Sequence, residues 1–114
     1  MPYLKIETNK ELDSDAVEQT LKKTSEFVAN LLGKPDKWVM ISINHGIPMM
    51  FGGGVDSVAY IEIKSIGLPE DKCSEFSEAL CNFVESELDV AADRIYIDFC
   101  NIDKKMFGWN RSTF

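Results

Sequence analysis

A proline directly follows the initiator methionine, and a strand-like segment begins at the next residue, Tyr3. If Met1 is removed, Pro2 becomes a free secondary amine held at the edge of a sheet. A terminal amine titrates at about 7.7–8.0 in peptides, and burial lowers that pKa because it disfavours the charged form. Such an amine could act as a general base without a histidine. The alternative is that a small residue is simply tolerated at position two.

The other residues that commonly do chemistry are few and scattered. His45 is the single histidine and has no partner at a metal-ligand spacing, so we interpret it as a surface or turn residue. Cys73, Cys81 and Cys100 are odd in number and lack a Cys-x-x-Cys pair, which favours buried thiols over disulfides or a redox motif. The sequence therefore predicts a site with no metal and no cofactor.

Length and charge exclude several classes of protein. The chain has 114 residues, 45% of them apolar, which suits one domain over residues 1–114. Its formal charge of -7 opposes binding to nucleic acid or to an anionic membrane surface. No basic leader precedes an apolar run, and none reaches the roughly 18 apolar residues that span a bilayer. We expect a soluble cytoplasmic protein, with non-classical export left open.

Periodicity and capping residues predict the order strand, helix, strand, repeated once. The predicted strands cover residues 3–8, 38–43, 58–65 and 94–100, and we expect the second to be mostly buried. One helix begins near Asp13 and ends at Gly33, and the other covers residues 70–88. Two helices and four strands must therefore position Pro2.

A shift of half the chain places Tyr3–Thr8 on Tyr60–Ser65, which indicates an internal repeat. The predicted fold is an α/β two-layer sandwich in which two pseudo-symmetric βαβ units form one mixed sheet, with both helices on one face. We expect Ile41, Ile43 and Ile97 on the uncovered face, where they would form an exposed apolar patch. Symmetric self-association would cover that patch.

The final eight residues, from Phe107 to Phe114, include three aromatic residues, which is unusual for a frayed terminus. These are Phe107, Trp109 and Phe114. We expect this segment to form a short extra strand that docks on a neighbouring chain, in preference to contacting substrate directly. The two roles are compatible.

Short motifs throughout the chain match one known family. They are Met1-Pro2, Thr8-Asn9, Leu32-Gly33-Lys34-Pro35, Phe51-Gly52-Gly53, Ser65-Ile66-Gly67, Asp93-Arg94-Ile95-Tyr96-Ile97, Gly108-Trp109-Asn110 and Ser112-Thr113-Phe114. The chain thereby resembles the macrophage migration inhibitory factor family of tautomerases over essentially its whole length. The resemblance implies a homotrimer whose sheets line a central channel, with one active site at each subunit interface. It also implies tautomerisation of small keto acids such as phenylpyruvate, or of dopachrome derivatives, without a cofactor.

The resemblance assigns roles to particular residues. Pro2 becomes the catalytic base, while Lys34 and the backbone N–H of Ile66 hold the substrate carboxylate. Tyr96 corresponds to a tyrosine contributed by the adjacent subunit, and Asp98 lies on the same strand face and lines the same pocket. The apolar part of the pocket is then formed by the aromatic residues Trp38, Phe107, Trp109 and Phe114.

Asp98 is the main departure from the family pattern, because the best-known member has asparagine there. An amide donates a hydrogen bond, whereas an ionised carboxylate only accepts one, and its charge raises the pKa of a nearby amine. Our leading hypothesis is a cofactor-independent keto–enol tautomerase of phenylpyruvate-like acids. The alternatives are a cytokine-like signalling protein with a vestigial pocket, for which the sequence shows no receptor surface, and an isomerase or dehalogenase of another small unsaturated acid.

Overall fold

The computed structural model describes residues 1–114 and contains one four-stranded sheet, two long helices and a terminal hairpin. In chain order the elements are β1 (Tyr3–Thr8), α1 (Ser14–Leu32), β2 (Met40–Asn44), β3 (Ala59–Ile66), α2 (Cys73–Leu88), β4 (Ile95–Ile102), β5 (Gly108–Trp109) and β6 (Ser112–Thr113). The predicted order of strands and helices is confirmed. Neither helix is both long enough and apolar enough to cross a lipid bilayer.

The sheet has the order β2-β1-β3-β4 and joins two similar halves. β1 pairs with β2 in parallel, β3 pairs with β4 in parallel, and the two central strands β1 and β3 are antiparallel. A short 3-10 turn precedes the second strand of each half, at Asp36–Trp38 and at Ala92–Arg94. The predicted pair of βαβ units in one mixed sheet is therefore confirmed.

The core lies between the helices and one face of the sheet. Leu4 and Ile6 of β1 face the same side as Ile63 and Ile61 of β3, their register partners. These four side chains are at most 1% exposed and pack in one cluster with side chains from both helices. Because α1 and α2 cover the same face, the opposite face of the sheet has no covering layer in this chain.

The uncovered face differs from the prediction. Ile41, Ile43 and Ile97 align with Leu4, Ile6 and Ile61, so they face the helices and pack against the core as half-buried residues. The uncovered face presents polar residues with cross-strand contacts, and among these the Tyr3 hydroxyl lies 2.7 Å from the Ser42 hydroxyl. No apolar patch of isoleucines exists there, so that argument for self-association was wrong.

The second predicted strand was also misplaced. Trp38 belongs to the 3-10 turn, and β2 begins at Met40 as an edge strand with exposed ends. β2 pairs with β1 on one side and has no strand on the other. For this reason it is half-buried, not mostly buried as expected. Trp38 is consequently free to pack against residues outside the sheet.

The end of helix α1 places Lys34 near one end of the sheet. The Asp13 carboxylate accepts a hydrogen bond of 2.8 Å from the Ala16 N–H and caps the start of the helix, so the cap is the first of the three candidate residues 13–15. Gly33 ends it in the left-handed conformation, with φ of 63°, and the Lys34 N–H then donates to the Ala29 carbonyl. The helix end therefore fixes the backbone of Lys34.

Candidate active site

Pro2 lies at the end of the two central strands, immediately before β1. Its side chain is less than 2% exposed, and its carbonyl accepts a hydrogen bond of 3.0 Å from the Met40 N–H. Tyr3 pairs with Lys64, so the next position along the same antiparallel register places Ser65 opposite Pro2. Strands on both sides therefore hold the residue rigidly, as a positioned base requires.

A cavity of about 240 Å³ opens beside Pro2 and is mostly apolar. Met1 and Tyr3 line it together with the four predicted aromatic residues Trp38, Phe107, Trp109 and Phe114. The Trp38 ring meets the Trp109 ring edge-on with 4.7 Å between centroids, and the Phe114 ring edge-on at 5.7 Å. These geometries are the ones aromatic pairs prefer, and together they form a wall suited to a flat apolar group.

The terminal hairpin brings the last aromatic residues to this wall. β5 pairs with β6 through a two-residue turn in which Asn110 and Arg111 both have positive φ, of 48° and 70°. Such a turn matches the twist of a hairpin. The Phe114 N–H then donates to the Phe107 carbonyl at 3.2 Å. The segment thus packs on its own chain, in a position to contact a ligand, and its docking on a neighbour stays a prediction.

Lys34 approaches the amino terminus from the helix side of the sheet. Met1 is present in this structure and bears the terminal amine. Partial burial lowers the pKa of that amine, and the positive charge of Lys34 lowers it further. Lys34 does not line the aromatic cavity itself but a second cavity that also includes Ser65. The charge of Lys34 therefore acts on the terminal amine, although Lys34 and Pro2 line different cavities.

Ile66 is the last residue of β3 and half-buried, at the same end of the sheet as Met1 and Pro2. The loop after it turns at Gly67, whose φ of 69° favours glycine. Asn101 fixes this loop, because its side-chain oxygen accepts a hydrogen bond of 3.0 Å from the Leu68 N–H. A side chain from β4 thus sets the backbone geometry next to Ile66.

Tyr96 and Asp98 lie elsewhere in the chain. They share the uncovered face of edge strand β4, as their alternation predicted, and both are exposed. Tyr96 aligns with Tyr60, which aligns with Glu7, near the end of β1 away from Pro2. Five residue steps along the strand lead from Pro2 to Glu7, a distance of roughly 16 Å. Asp98 aligns with Glu62 and Lys5, and within one chain neither Tyr96 nor Asp98 lines the aromatic cavity.

Sequence reasoning missed a residue that contacts Asp98. The Tyr60 hydroxyl donates a hydrogen bond of 2.9 Å to the Asp98 carboxylate, and this bond, followed by partial desolvation and the Asp98 charge, raises the pKa of Tyr60. The internal repeat that aligns Tyr60 with Tyr3 predicts that Tyr60 lies on a strand. Only the register of β3 against β4 shows that its hydroxyl meets Asp98. The contact orients a carboxylate that the sequence could only place on a face.

The loop of residues 45–58 is held by several side chains outside it, among them that of Arg94. Arg94 donates to the carbonyls of Ser57, Asp56 and Phe51 at 3.0–3.3 Å and lies over the Phe51 ring. The Phe51 ring in turn contacts the Tyr96 ring, with 4.7 Å between centroids. The motif residues Arg94 and Phe51 therefore position Tyr96, a contact that their separation in sequence concealed.

His45 also has a structural contact. Its Nδ1 accepts a hydrogen bond of 3.3 Å from the Leu12 N–H, and the side chain is partly buried beside Glu11. This ties the end of β2 to the segment before α1. The prediction of a turn residue agrees with that geometry.

This chain is similar to known proteins of one family over its whole length. The family model for macrophage migration inhibitory factor (MIF) matches residues 1–114. A macrophage migration inhibitory factor homolog from Brugia malayi is 39% identical, covering 100% of this chain and 99% of that protein. One from Wuchereria bancrofti is 38% identical over the same shares of the two chains.

Solved structures give the same result for the fold. The macrophage migration inhibitory factor homologue from Prochlorococcus marinus has 40% identity and a TM-score of 0.91, covering 98% of both chains. The macrophage migration inhibitory factor from Trichinella spiralis has 30% identity and a TM-score of 0.89, covering 98% of this chain and 99% of that one. The two helices and mixed sheet described above are thus the architecture of these proteins.

Proposed function

This chain belongs to the macrophage migration inhibitory factor family and has the fold of the tautomerase superfamily, and from that premise we propose that it is a cofactor-independent keto–enol tautomerase. Its substrates are phenylpyruvate-like 2-keto acids, and dopachrome-type compounds are a related possibility. One observation carries the proposal. Pro2 is buried in the wall of an aromatic cavity, next to the Met1 amine, whose pKa is lowered by burial and by the charge of Lys34.

The proposed reaction moves one proton and changes no oxidation state. After removal of Met1, the neutral Pro2 amine takes a proton from the carbon beside the carbonyl and passes it, directly or through a water molecule, to the carbonyl oxygen, which gives the enol and restores the neutral amine. In ketonisation the neutral amine takes the proton of the enol hydroxyl and then, in its protonated form, returns that proton to carbon. A base with a pKa near the working pH is most effective, which a lowered amine pKa provides.

The surrounding residues position the substrate in this proposal. The aromatic cavity takes the ring of phenylpyruvate, while Lys34 and the Ile66 N–H take the carboxylate. This arrangement places the reacting carbon between the two ends of the molecule, beside the amine. Charge-assisted hydrogen bonds to a carboxylate are stronger than neutral ones, so Lys34 supplies most of the orientation.

The direct test is ketonisation of phenylpyruvate enol by the purified chain, followed by ultraviolet absorbance. Intact-mass measurement on the same sample establishes whether Met1 has been removed, because retained Met1 converts the Pro2 nitrogen into a non-basic amide. Saturable turnover by chains lacking Met1 supports the proposal. Turnover no faster than the uncatalysed reaction from such chains would refute it.

We also propose a homotrimer, because one chain leaves the site incomplete. Tyr96 and Asp98 lie too far from their own Pro2, and apolar side chains such as Met40 and Val55 are more than 60% exposed. We expect sedimentation to give a mass three times that of the 12.9 kDa chain. A monomer that retains full turnover would contradict the shared site.

The charge of Asp98 gives a prediction about pH. If Asp98 of a neighbouring subunit lies near Pro2, its carboxylate stabilises the protonated amine and raises the pKa of Pro2. Because the base must be neutral, kcat/KM rises with pH through that pKa. We expect Asp98→Asn to move this rise to lower pH and to increase kcat/KM severalfold on the acidic side.

Tyr60→Phe is the matched control, since it removes the hydrogen bond to Asp98 but keeps the carboxylate charge. Its pH profile should stay close to that of the unmodified chain. An Asp98→Asn profile that coincides with the unmodified one would show that this carboxylate does not act on the amine.

A further inference from the structure

A second cavity lies on the helix side of the sheet, behind Lys34. Its volume is about 230 Å³, and its polar lining comes from Lys34, Ser65 and Lys72. The rest of its wall is apolar and comes from α1, α2 and the loop between β3 and α2. Lys72 is the residue just before α2, so the cavity brings together cations from two separate segments.

The positive charge in this cavity has no protein partner. No carboxylate lines the cavity, and none lies within 4.0 Å of the ammonium of Lys34 or Lys72, whereas Lys64 elsewhere pairs with Glu62 at 3.1 Å. Glu70 and Asp71 precede Lys72 but are exposed and outside the lining. In a chain of net charge -7, two cations that line one cavity without an acid are unusual, although Lys34 is only half-buried and Lys72 is exposed.

A buried hydroxyl adds a donor to the two cations. Ser65 is 1% exposed, and its hydroxyl makes only a long contact of 3.5 Å with the Ile66 carbonyl. A hydrogen bond of that length is weak, so the hydroxyl can donate to a ligand in the cavity. No side chain caps the start of α2, and the positive end of that helix dipole is near the same lysine.

We infer that this cavity binds a phosphate-like dianion between Lys34 and Lys72. The shared chemistry is a tetrahedral oxyanion with two negative charges, either inorganic phosphate or the phosphate group of a small metabolite. Two ammonium groups neutralise its charge, and the Ser65 hydroxyl donates to one of its oxygens. A cavity of about 230 Å³ accepts such an ion with some of its hydration water.

The site does not depend on the proposed function, but its effect on turnover does. An anion at Lys34 competes with the substrate carboxylate for the same ammonium. It also offsets the Lys34 charge that lowers the pKa of the terminal amine, so the amine becomes harder to deprotonate. Phosphate should therefore inhibit a tautomerase that uses this lysine.

The test is a titration with inorganic phosphate at constant ionic strength, followed by the amide NMR signals of Ser65, Gly67 and Leu68. We expect saturable shifts in the unmodified chain and affinity roughly tenfold weaker in Lys72→Met, the effect of removing one of two charge pairs in a partly hydrated site. Lys105→Met removes the same charge from an exposed residue outside both cavities and should bind normally. Equal affinity in Lys72→Met, or shifts that do not saturate, would overturn the inference.

Phosphoenolpyruvate separates the two sources of the anion. Binding tighter than that of phosphate, with added shifts at Trp38, identifies the phosphate of a small acid; equal binding identifies the free ion. Competitive inhibition of turnover by phosphate should weaken in Lys72→Met. If the chain shows no turnover but Lys72-dependent binding persists, the tautomerase proposal fails and the anion site stands.

Discussion

Ketonisation of phenylpyruvate should fall by about a hundredfold in kcat/KM when Pro2 is replaced by glycine, and to the uncatalysed rate when one alanine is inserted ahead of Pro2. Glycine retains a terminal amine but loses the ring that the flanking strands hold. The insertion turns the Pro2 nitrogen into an amide, which has no basicity. A positioned general base contributes roughly 10²–10⁴-fold, so the insertion removes the whole of that factor.

Intact mass and thermal unfolding must accompany these rates, because both variants change a buried position. Mass spectrometry confirms that Met1 is absent in each chain, and an unchanged melting temperature excludes loss of the fold. Leu4→Val provides a matched structural control, since it disturbs β1 two residues away without altering the amine. If the insertion variant turns over like the unmodified chain, another group is the base.

Much of the fold follows from local sequence. The alternation in Tyr3–Thr8 predicted β1 because residues on successive positions of a strand face opposite sides, and Leu4 and Ile6 are indeed buried. Asp13 and Gly33 predicted the bounds of α1 because each supplies a specific terminal hydrogen bond or backbone angle. These signals are local, so one sequence contains them in full.

Local sequence does not determine which face of an edge strand a residue occupies. Ile41, Ile43 and Ile97 are apolar on positions that alternate with Ser42 and with Tyr96 and Asp98, and either face was consistent with the pattern until the register fixed it. The apolar run from Trp38 onward further obscured where the strand began. Register and strand order depend on contacts between distant segments, which spacing alone does not specify.

The candidate site likewise depends on contacts between segments that are distant in sequence. Trp38 follows α1, whereas Phe107, Trp109 and Phe114 lie in the C-terminal segment, and the family resemblance, not any spacing, grouped them around Pro2. In the structure they line one cavity, and their contact with substrate stays a prediction. The separation of Lys34 into a second cavity with Lys72 was not predicted, because it results from how two helix ends meet the loop after β3.

Replacement of Lys34 by methionine should lower kcat/KM for phenylpyruvate by roughly 10- to 100-fold, the loss expected for one charge-assisted hydrogen bond. The same change should move the rise of kcat/KM to higher pH. The Lys34 charge lowers the pKa of the terminal amine, so its removal raises that pKa and the neutral base forms only at higher pH. The measurement is a kcat/KM profile from pH 5 to pH 9.

Lys37 provides the discriminating comparison, because it lines the aromatic cavity and lies over the Trp38 ring at 5.3 Å. Lys34→Met and Lys37→Met remove the same charge from residues that line two different cavities. If Lys34 holds the carboxylate, its variant shows the larger rise in KM and alone shifts the pH profile. A larger loss in Lys37→Met would instead place the carboxylate in the aromatic cavity, and the substrate would then bind in the reverse orientation.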